Sequence, residues 1–114
     1  MKTAKIVVVL AALAHETRLG IVRLLGEAAP AGVRIAQIAT HMELPAPSLL
    51  PHLSELQRAG LVARRRKGGS MVYISNVARM NEVARYFEQH CFSEDISDCE
   101  PAGAVAGDKR RRRH

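Results

Sequence analysis

The polar side chains best placed to contact an anionic polymer begin at Ser48 and His52. These two residues are four apart, so on a helix they share one face, clear of the apolar stripe that leucines form on the same stretch. A hydroxyl and an imidazole in that position could reach phosphate oxygens or base edges in a DNA groove. The plainer alternative is a capping serine and a surface histidine.

A run of basic residues follows shortly afterwards, from Arg64 to Lys67. On a strand, Arg64 and Arg66 would lie on one face and Arg65 on the other, so not all of them could contact DNA. Arg66 and Lys67, nearest the predicted turn, are the better candidates, and each phosphate contact would add about 0.9 to the negative salt slope of binding. The alternative is a solvated edge strand whose charges prevent aggregation.

Two thiols, Cys91 and Cys99, are too few for a disulfide scaffold, and we expect them to be reduced in a cytoplasmic protein. They are eight residues apart, and on one continuous helix their backbones would be about 12 Å apart. The chain must therefore break after Cys91 if both are to reach one ligand. His90 beside Cys91 does not make a catalytic pair, because adjacent helical residues do not face each other. We predict no enzyme activity.

The net charge of +6 overstates how basic the folded part is. Lys109 and the four arginines after it supply five of the 17 basic residues, which leaves 12 basic against 11 acidic residues in 1–108. Any nucleic-acid interface must therefore rest on local clustering of charge.

The elements that position these residues follow from apolar spacing and turn residues. Apolar residues recur on a helix period, Gly60 suits a left-handed helix end, and Gly68-Gly69 suits a hairpin turn. The prediction is three helices at residues 5–13, 17–28 and 34–42, a fourth ending at Gly60, strands at 61–66 and 71–75, and a fifth helix at 77–89.

This order of elements predicts a mainly α fold with a small β-hairpin, a winged helix-turn-helix. In that fold the fourth helix enters a major groove and the hairpin lies along the backbone or in a minor groove. Residues 1–92 would form this DNA-binding and dimerisation domain, and residues 93–114 a flexible acidic, then basic tail. The first helix is apolar on more than one side, which indicates a second subunit. Its apolar run is far short of the roughly 20 residues needed to span a bilayer, so no membrane contact is predicted.

The sequence resembles the ArsR/SmtB family of bacterial metal-responsive repressors over roughly residues 6–91. The matching stretches are LAHETRL (13–19), IAQIA (35–39), LPAPSL (44–49), HLSEL (52–56), RAGLV (58–62), KG (67–68) and VY (72–73). The resemblance implies a homodimer, paired through the first and last helices, that leaves an inverted-repeat operator when an inducer binds. The candidate DNA contacts are Gln37, Ser48, His52, Arg65, Arg66 and Lys67.

Arsenic-responsive members of one subgroup end the last helix with Asn-Cys-Cys and carry a third cysteine further on. This chain has His90-Cys91-Phe92 with Cys99 downstream, so one thiol of that trio is missing. The resemblance implies no constitutive cofactor and a trivalent arsenical as inducer, because arsenic is soft and takes thiolates. Two thiolates would satisfy a monosubstituted arsenical, so we expect organic arsenicals to be preferred to arsenite. The alternatives are another signal such as thiol redox, no ligand, or a non-sensing DNA-binding protein.

The chain also departs from the family at Leu50, which replaces a serine that could contact a base or phosphate, and at Pro51. Proline has no N–H and disfavours helical geometry in the residue before it. We therefore expect the fourth helix to begin between Pro47 and Pro51, with Pro51 in its first turn. The last helix offers Glu82, Glu88 and His90 without paired histidine spacing, so transition-metal sensing is not predicted.

Overall fold

The computed structural model describes residues 1–92. Its elements in chain order are α1 (Thr3–Leu13), α2 (Glu16–Ala28), α3 (Ile35–Met42), α4 (Ala46–Arg58), β1 (Val62–Lys67), β2 (Ser70–Ser75) and α5 (Val77–His90). These elements confirm the predicted mainly α fold with one hairpin, and most boundaries lie within two residues of the predicted ones. Cys99 and the basic tail lie outside the described residues.

Helix α4 is fixed by an apolar stripe and by a closed C-terminal end. Leu49, Leu53 and Leu56 are at most 1% exposed and pack into the core. The N–H of Gly60, which has a φ of +80°, donates to Gln57 O at 3.0 Å. The N–H of Leu61 donates to Leu56 O, also at 3.0 Å. This pair of bonds closes the helix on a left-handed glycine, as the sequence predicted.

The predicted start of α4 was wrong. The helix begins at Ala46, before the expected window, and Pro51 lies inside it as the sixth residue. Proline there removes the N–H that would bond to the carbonyl of Pro47. Pro47 and Pro51 are both exposed, so water can satisfy that carbonyl, while the buried leucines on the opposite side hold the helix together.

The hairpin is bonded through the middle of β2 to the loop between α2 and α3. Val33 and Tyr73 exchange two backbone hydrogen bonds, with N···O distances of 2.9 and 2.8 Å. Gly32 makes this approach possible: its φ is +87°, and a Cβ atom there would lie 2.8 Å from the Ile74 side chain. The wing is therefore held in a fixed place relative to α3.

Asn76 joins the end of α4 to the start of α5. Its Nδ2 donates to Gly60 O at 2.8 Å, and its backbone N–H donates to Leu61 O at 2.9 Å. Its Oδ1 accepts from the N–H of Arg79 at 3.1 Å and so caps α5. One side chain thus connects the two helices that the sequence assigns to DNA contact and to sensing.

Helices α1 and α5 both leave large apolar side chains exposed, Val7 and Val8 on α1 and Val77 on α5. Within α1, Ile6 and Val9 are at most 2% exposed, whereas Val7 and Val8 are 56% and 54% exposed. Val83 is the one residue of α5 that is buried. No helix in residues 1–92 is long and apolar enough to cross a membrane.

Candidate nucleic-acid interface

The solvent-facing surface of α4 carries the first predicted contact. Ser48 is exposed in the first turn, and its backbone N–H donates to Pro45 O at 3.0 Å. Leu50 is 50% exposed on the same helix. Sequence reasoning counted Leu50 as the loss of a polar contact, but an exposed apolar side chain there suits the methyl group of thymine. Its position off the buried stripe was the signal that could have identified it.

His52 lies at the edge of α4 rather than on its outer surface. It is half-buried, and its ring centroid is 4.5 Å from that of His15. His15 is itself fixed, because its Nδ1 accepts from the N–H of Thr17 at 3.1 Å and caps α2. The Nδ1 of His52 is buried and has no hydrogen-bond partner among residues 1–92.

The surroundings of His52 favour its neutral form. Burial lowers its pKa below the ordinary value of 6.5, and the nearby His15 and Arg18 lower the pKa further by charge repulsion. Arg18 is held in place because its Nε donates to Ala12 O at 2.7 Å. A neutral His52 contributes no charge to phosphate binding, so any DNA contact that it makes depends on hydrogen bonding. That contact stays a prediction.

The wing supplies most of the positive charge. Apart from Val62, every residue of β1 is exposed. Arg65 pairs with Val72 and Arg66 with Met71 across the hairpin, so these two arginines project to opposite faces, as the alternation predicted. None of the ion pairs found within residues 1–92 involves an arginine of β1. Their charge is therefore available to an anion.

Two of the predicted contacts already bond to the protein itself. Lys67 donates from Nζ to Ala31 O at 3.2 Å, across to the loop before α3. Gln37 accepts the N–H of Arg34 on its Oε1 at 3.1 Å and caps α3. Both side chains are exposed, so Lys67 could exchange its carbonyl for a phosphate, and the amide N–H₂ of Gln37 remains free to donate.

The thiol of Cys91 is exposed directly after the last residue of α5. Its backbone N–H donates to Phe87 O at 2.9 Å, which continues the helical bonding by one residue. Phe92 is 67% exposed and its ring is stacked 6.4 Å from that of Phe87. Within residues 1–92 there is no cluster of three His, Cys, Asp or Glu side chains that could hold a metal ion.

Comparison with known proteins agrees with this geometry. A family model described as a helix-turn-helix domain matches residues 13–65. No curated protein matches the sequence. Among solved structures, an ArsR-like transcriptional regulator from Rhodococcus sp. RHA1 is 32% identical, with a TM-score of 0.68 over 75% of this chain and 78% of that one.

Two further structures extend the comparison. HlyU from Vibrio cholerae N16961 is 28% identical, with a TM-score of 0.61 over 81% of this chain and 100% of that one. A homodimeric winged helix-turn-helix DNA-binding domain from Mycobacterium bovis is 26% identical, with a TM-score of 0.59 over 79% of this chain and 88% of that one. The similarity therefore extends beyond the helix-turn-helix to most of the described fold.

Proposed function

Since the chain belongs to the ArsR-like family of DNA-binding transcriptional regulators, which are not enzymes, we propose that it is a homodimeric repressor released from its operator by trivalent arsenicals. The observation that carries the DNA-binding part is the shared exposure of Ser48 on α4 and of the arginines on β1. The core fixes the helix and the α2–α3 loop fixes the wing, so the two surfaces can act together on one DNA duplex.

The dimer part of the proposal rests on α1. Val7 and Leu10 are 56% and 38% exposed on a helix whose other side is buried. A contiguous apolar surface of this kind marks an interaction site, and the similar domain from Mycobacterium bovis is homodimeric. Two copies related by a dyad would present two α4 helices to major grooves about 34 Å apart, which is the arrangement that an inverted repeat matches.

The arsenical part rests on the exposed thiol of Cys91, with Cys99 eight residues further along. Trivalent arsenic binds thiolates, and two thiolates satisfy an arsenical that already carries one organic group. Helix α5 ends at His90, so the helix does not fix the direction of the chain that follows. Binding would draw Cys99 back against the end of α5. A coupling of about 1–3 kcal/mol to the DNA-binding state is enough to empty an operator.

The test is operator release measured by fluorescence anisotropy with a labelled promoter fragment. We expect the unaltered protein to be released by a monosubstituted organic arsenical at lower concentration than by arsenite. Cys91→Ser and Cys99→Ser should each abolish release while they retain operator affinity, because neither thiol lies on α4 or the wing. A serine control on α2, Gly26→Ser, where a Cβ atom would meet nothing within 4 Å, should respond like the parent. Undiminished release in both cysteine variants would contradict the proposal.

A second candidate is a thiol redox signal, which the exposure of Cys91 favours. The same operator-release assay distinguishes the two candidates. If a mild oxidant releases the operator, a thiol reductant reverses the release and neither arsenical causes it, the redox hypothesis replaces the arsenical one. A protein that binds the promoter and responds to neither treatment would be a repressor with another signal or a non-sensing DNA-binding protein. Absence of any specific DNA binding would contradict both candidates.

A further inference from the structure

A basic cleft opens where the start of α1 meets the end of α4 and the first turn of α5. It has a volume of about 590 Å³, and one wall is apolar, formed by Ala4, Val8 and Ala59. The side chains that give it charge are Lys2, Lys5, Arg58 and Arg79, and no acidic residue lines it.

The positive charge of this cleft is only partly neutralised. Arg58 bonds Glu55 at 2.9 Å, and Arg79 lies 3.4 Å from Glu82. Lys2 and Lys5 have no ion-pair partner within the part of the chain that the structure describes. Two ammonium groups beside an apolar wall therefore favour an acidic occupant that also carries an apolar side chain.

DNA bound at the predicted interface would not fill this cleft. Ser48 is near the start of α4, whereas Arg58 is its last residue. Ten residues of helix separate them by about 15 Å. The cleft thus lies at the end of α4 remote from the predicted DNA contacts, so an anion other than the bound DNA would occupy it.

The chain itself supplies such an anion shortly after α5. Residues 93–100 read SEDISDCE, with four acidic residues, no basic residue and one isoleucine. The end of α5 lies close to the start of α1: Met1 lines both the cleft and an adjoining pocket that contains His90. In addition, Thr3 Oγ1 and Tyr86 Oη are 2.7 Å apart.

The length of the segment is sufficient to reach the cleft. Arg79 and Cys91 are twelve helical residues apart, which is about 18 Å along α5. Eight extended residues span up to about 26 Å. A segment leaving α5 after Cys91 can therefore turn back past Met1 and reach both lysines and Arg79.

We propose that residues 93–100 dock in the basic cleft of their own protomer, with their carboxylates beside Lys2, Lys5 and Arg79. Single exposed ion pairs contribute little, so docking depends on several pairs together and on the high effective concentration of a tethered segment. Docking would attach the segment that carries Cys99 to α1, α4 and α5 at once. It does not depend on arsenical binding, so failure of the arsenical test would leave it unaffected.

The experiment uses the full chain with Cys91→Ser and a nitroxide spin label on Cys99. Amide signals of an ¹⁵N-labelled protein report which residues the label approaches. We expect Lys5 and Gly60 to lose intensity, and Gly68 at the wing tip to keep it. Replacement of both lysines, Lys2→Glu with Lys5→Glu, should restore the lost signals. So should 1 M salt, where the Debye length is about 3 Å.

Two matched variants complete the test. Neutralisation of the segment by Glu94→Gln, Asp95→Asn, Asp98→Asn and Glu100→Gln should also restore the signals. A charge-matched control away from the cleft, Arg23→Glu with Arg64→Glu, should leave the broadening in place. Broadening that survives both the lysine reversal and the neutralisation, or that is absent in the parent, would overturn the proposal. Broadening that arises only when the spin label and the isotope are on different protomers would overturn it too.

Discussion

Helices α4 and α5 have almost the same length, 13 and 14 residues, yet they are held in different ways. Three leucines of α4 are buried, and its C-terminal end is bonded to Asn76 through Gly60 O. Helix α5 is tied at its start by Asn76 and buries Val83 alone. The monomer therefore completes by itself the burial of α4, the helix that we propose contacts DNA, whereas α5 depends on further contacts. A helix with few buried contacts opens and shifts at lower cost, which suits a sensing element.

The largest effect should come from truncating the core of α4. Leu53→Ala removes a side chain that is 1% exposed, and we expect it to lower the free energy of unfolding by about 2–5 kcal/mol. Val83→Ala on α5 should cost only about 1–2 kcal/mol, at roughly 0.8 kcal/mol for each carbon removed. Urea unfolding of both variants measures the difference. Equal losses would mean that α5 is as firmly held as α4.

Asn76→Ala should have the next largest effect, because it removes the cap of α5 and the bond to Gly60 O together. Loss of a cap costs about 0.5–2 kcal/mol, and the freed Gly60 carbonyl adds to that cost. Asn76→Asp is the matched control: it keeps the capping oxygen and loses only the N–H donor. The aspartate variant should lie between the parent and the alanine variant in denaturant midpoint. If the two variants unfold at the same midpoint, the cap does not contribute.

Loss of wing charge should change DNA binding and leave folding almost unaffected. Arg66→Ala with Lys67→Ala removes two candidate phosphate contacts, each worth about 0.9 in the slope of log K against log salt. We expect operator and random DNA to be weakened alike. Arg23→Ala on α2 is the control, because Arg23 is exposed and pairs with Glu27. An unchanged slope in the double variant would place the phosphate contacts elsewhere.

The smallest effect concerns His52. Its pKa is lowered in the folded chain, so the unfolded chain binds the proton more readily. The free energy of unfolding therefore falls as the pH drops below about 6.5, and the contribution is fully present above that value. His52→Gln removes this titration, and the difference in stability between parent and variant should change between about pH 7 and pH 5. A constant difference over that range would mean that His52 titrates alike in both states.

The local spacing of apolar residues, together with the turn residues, was enough to predict most of the fold. The spacing of Leu49, Leu53 and Leu56 predicted the buried side of α4, and Gly60 predicted its end, because both depend on residues close in sequence. The wing followed from two adjacent glycines and strand-forming neighbours. The start of α4 was predicted wrongly because only the cost of a proline inside a helix was considered. Burial of the leucine stripe offsets the hydrogen bond that Pro51 removes.

Less of the candidate site than of the fold could be predicted from the sequence. Ser48 and Arg66 are exposed where the periodicity placed them. The contact between His52 and His15 joins residues 37 positions apart, and no local pattern encodes it. The bond from Lys67 to Ala31 O likewise depends on how the hairpin packs against a distant loop. Contacts of this kind follow from the assembled core rather than from any one segment.

The hydrogen bonds of Asn76 hold together the two points where the chain enters and leaves the hairpin. The backbone leaves α4 at Leu61 and returns to within 2.9 Å of the same residue at Asn76, where α5 begins. Changes at the tip of the hairpin, between Lys67 and Ser70, therefore leave the distance between the helices unaltered. Related proteins can therefore gain or lose wing residues in cross-strand pairs, and so change their reach along DNA, without a compensating change elsewhere. Because loop length affects stability only weakly, the wing is the part of this architecture most open to evolutionary variation and to redesign.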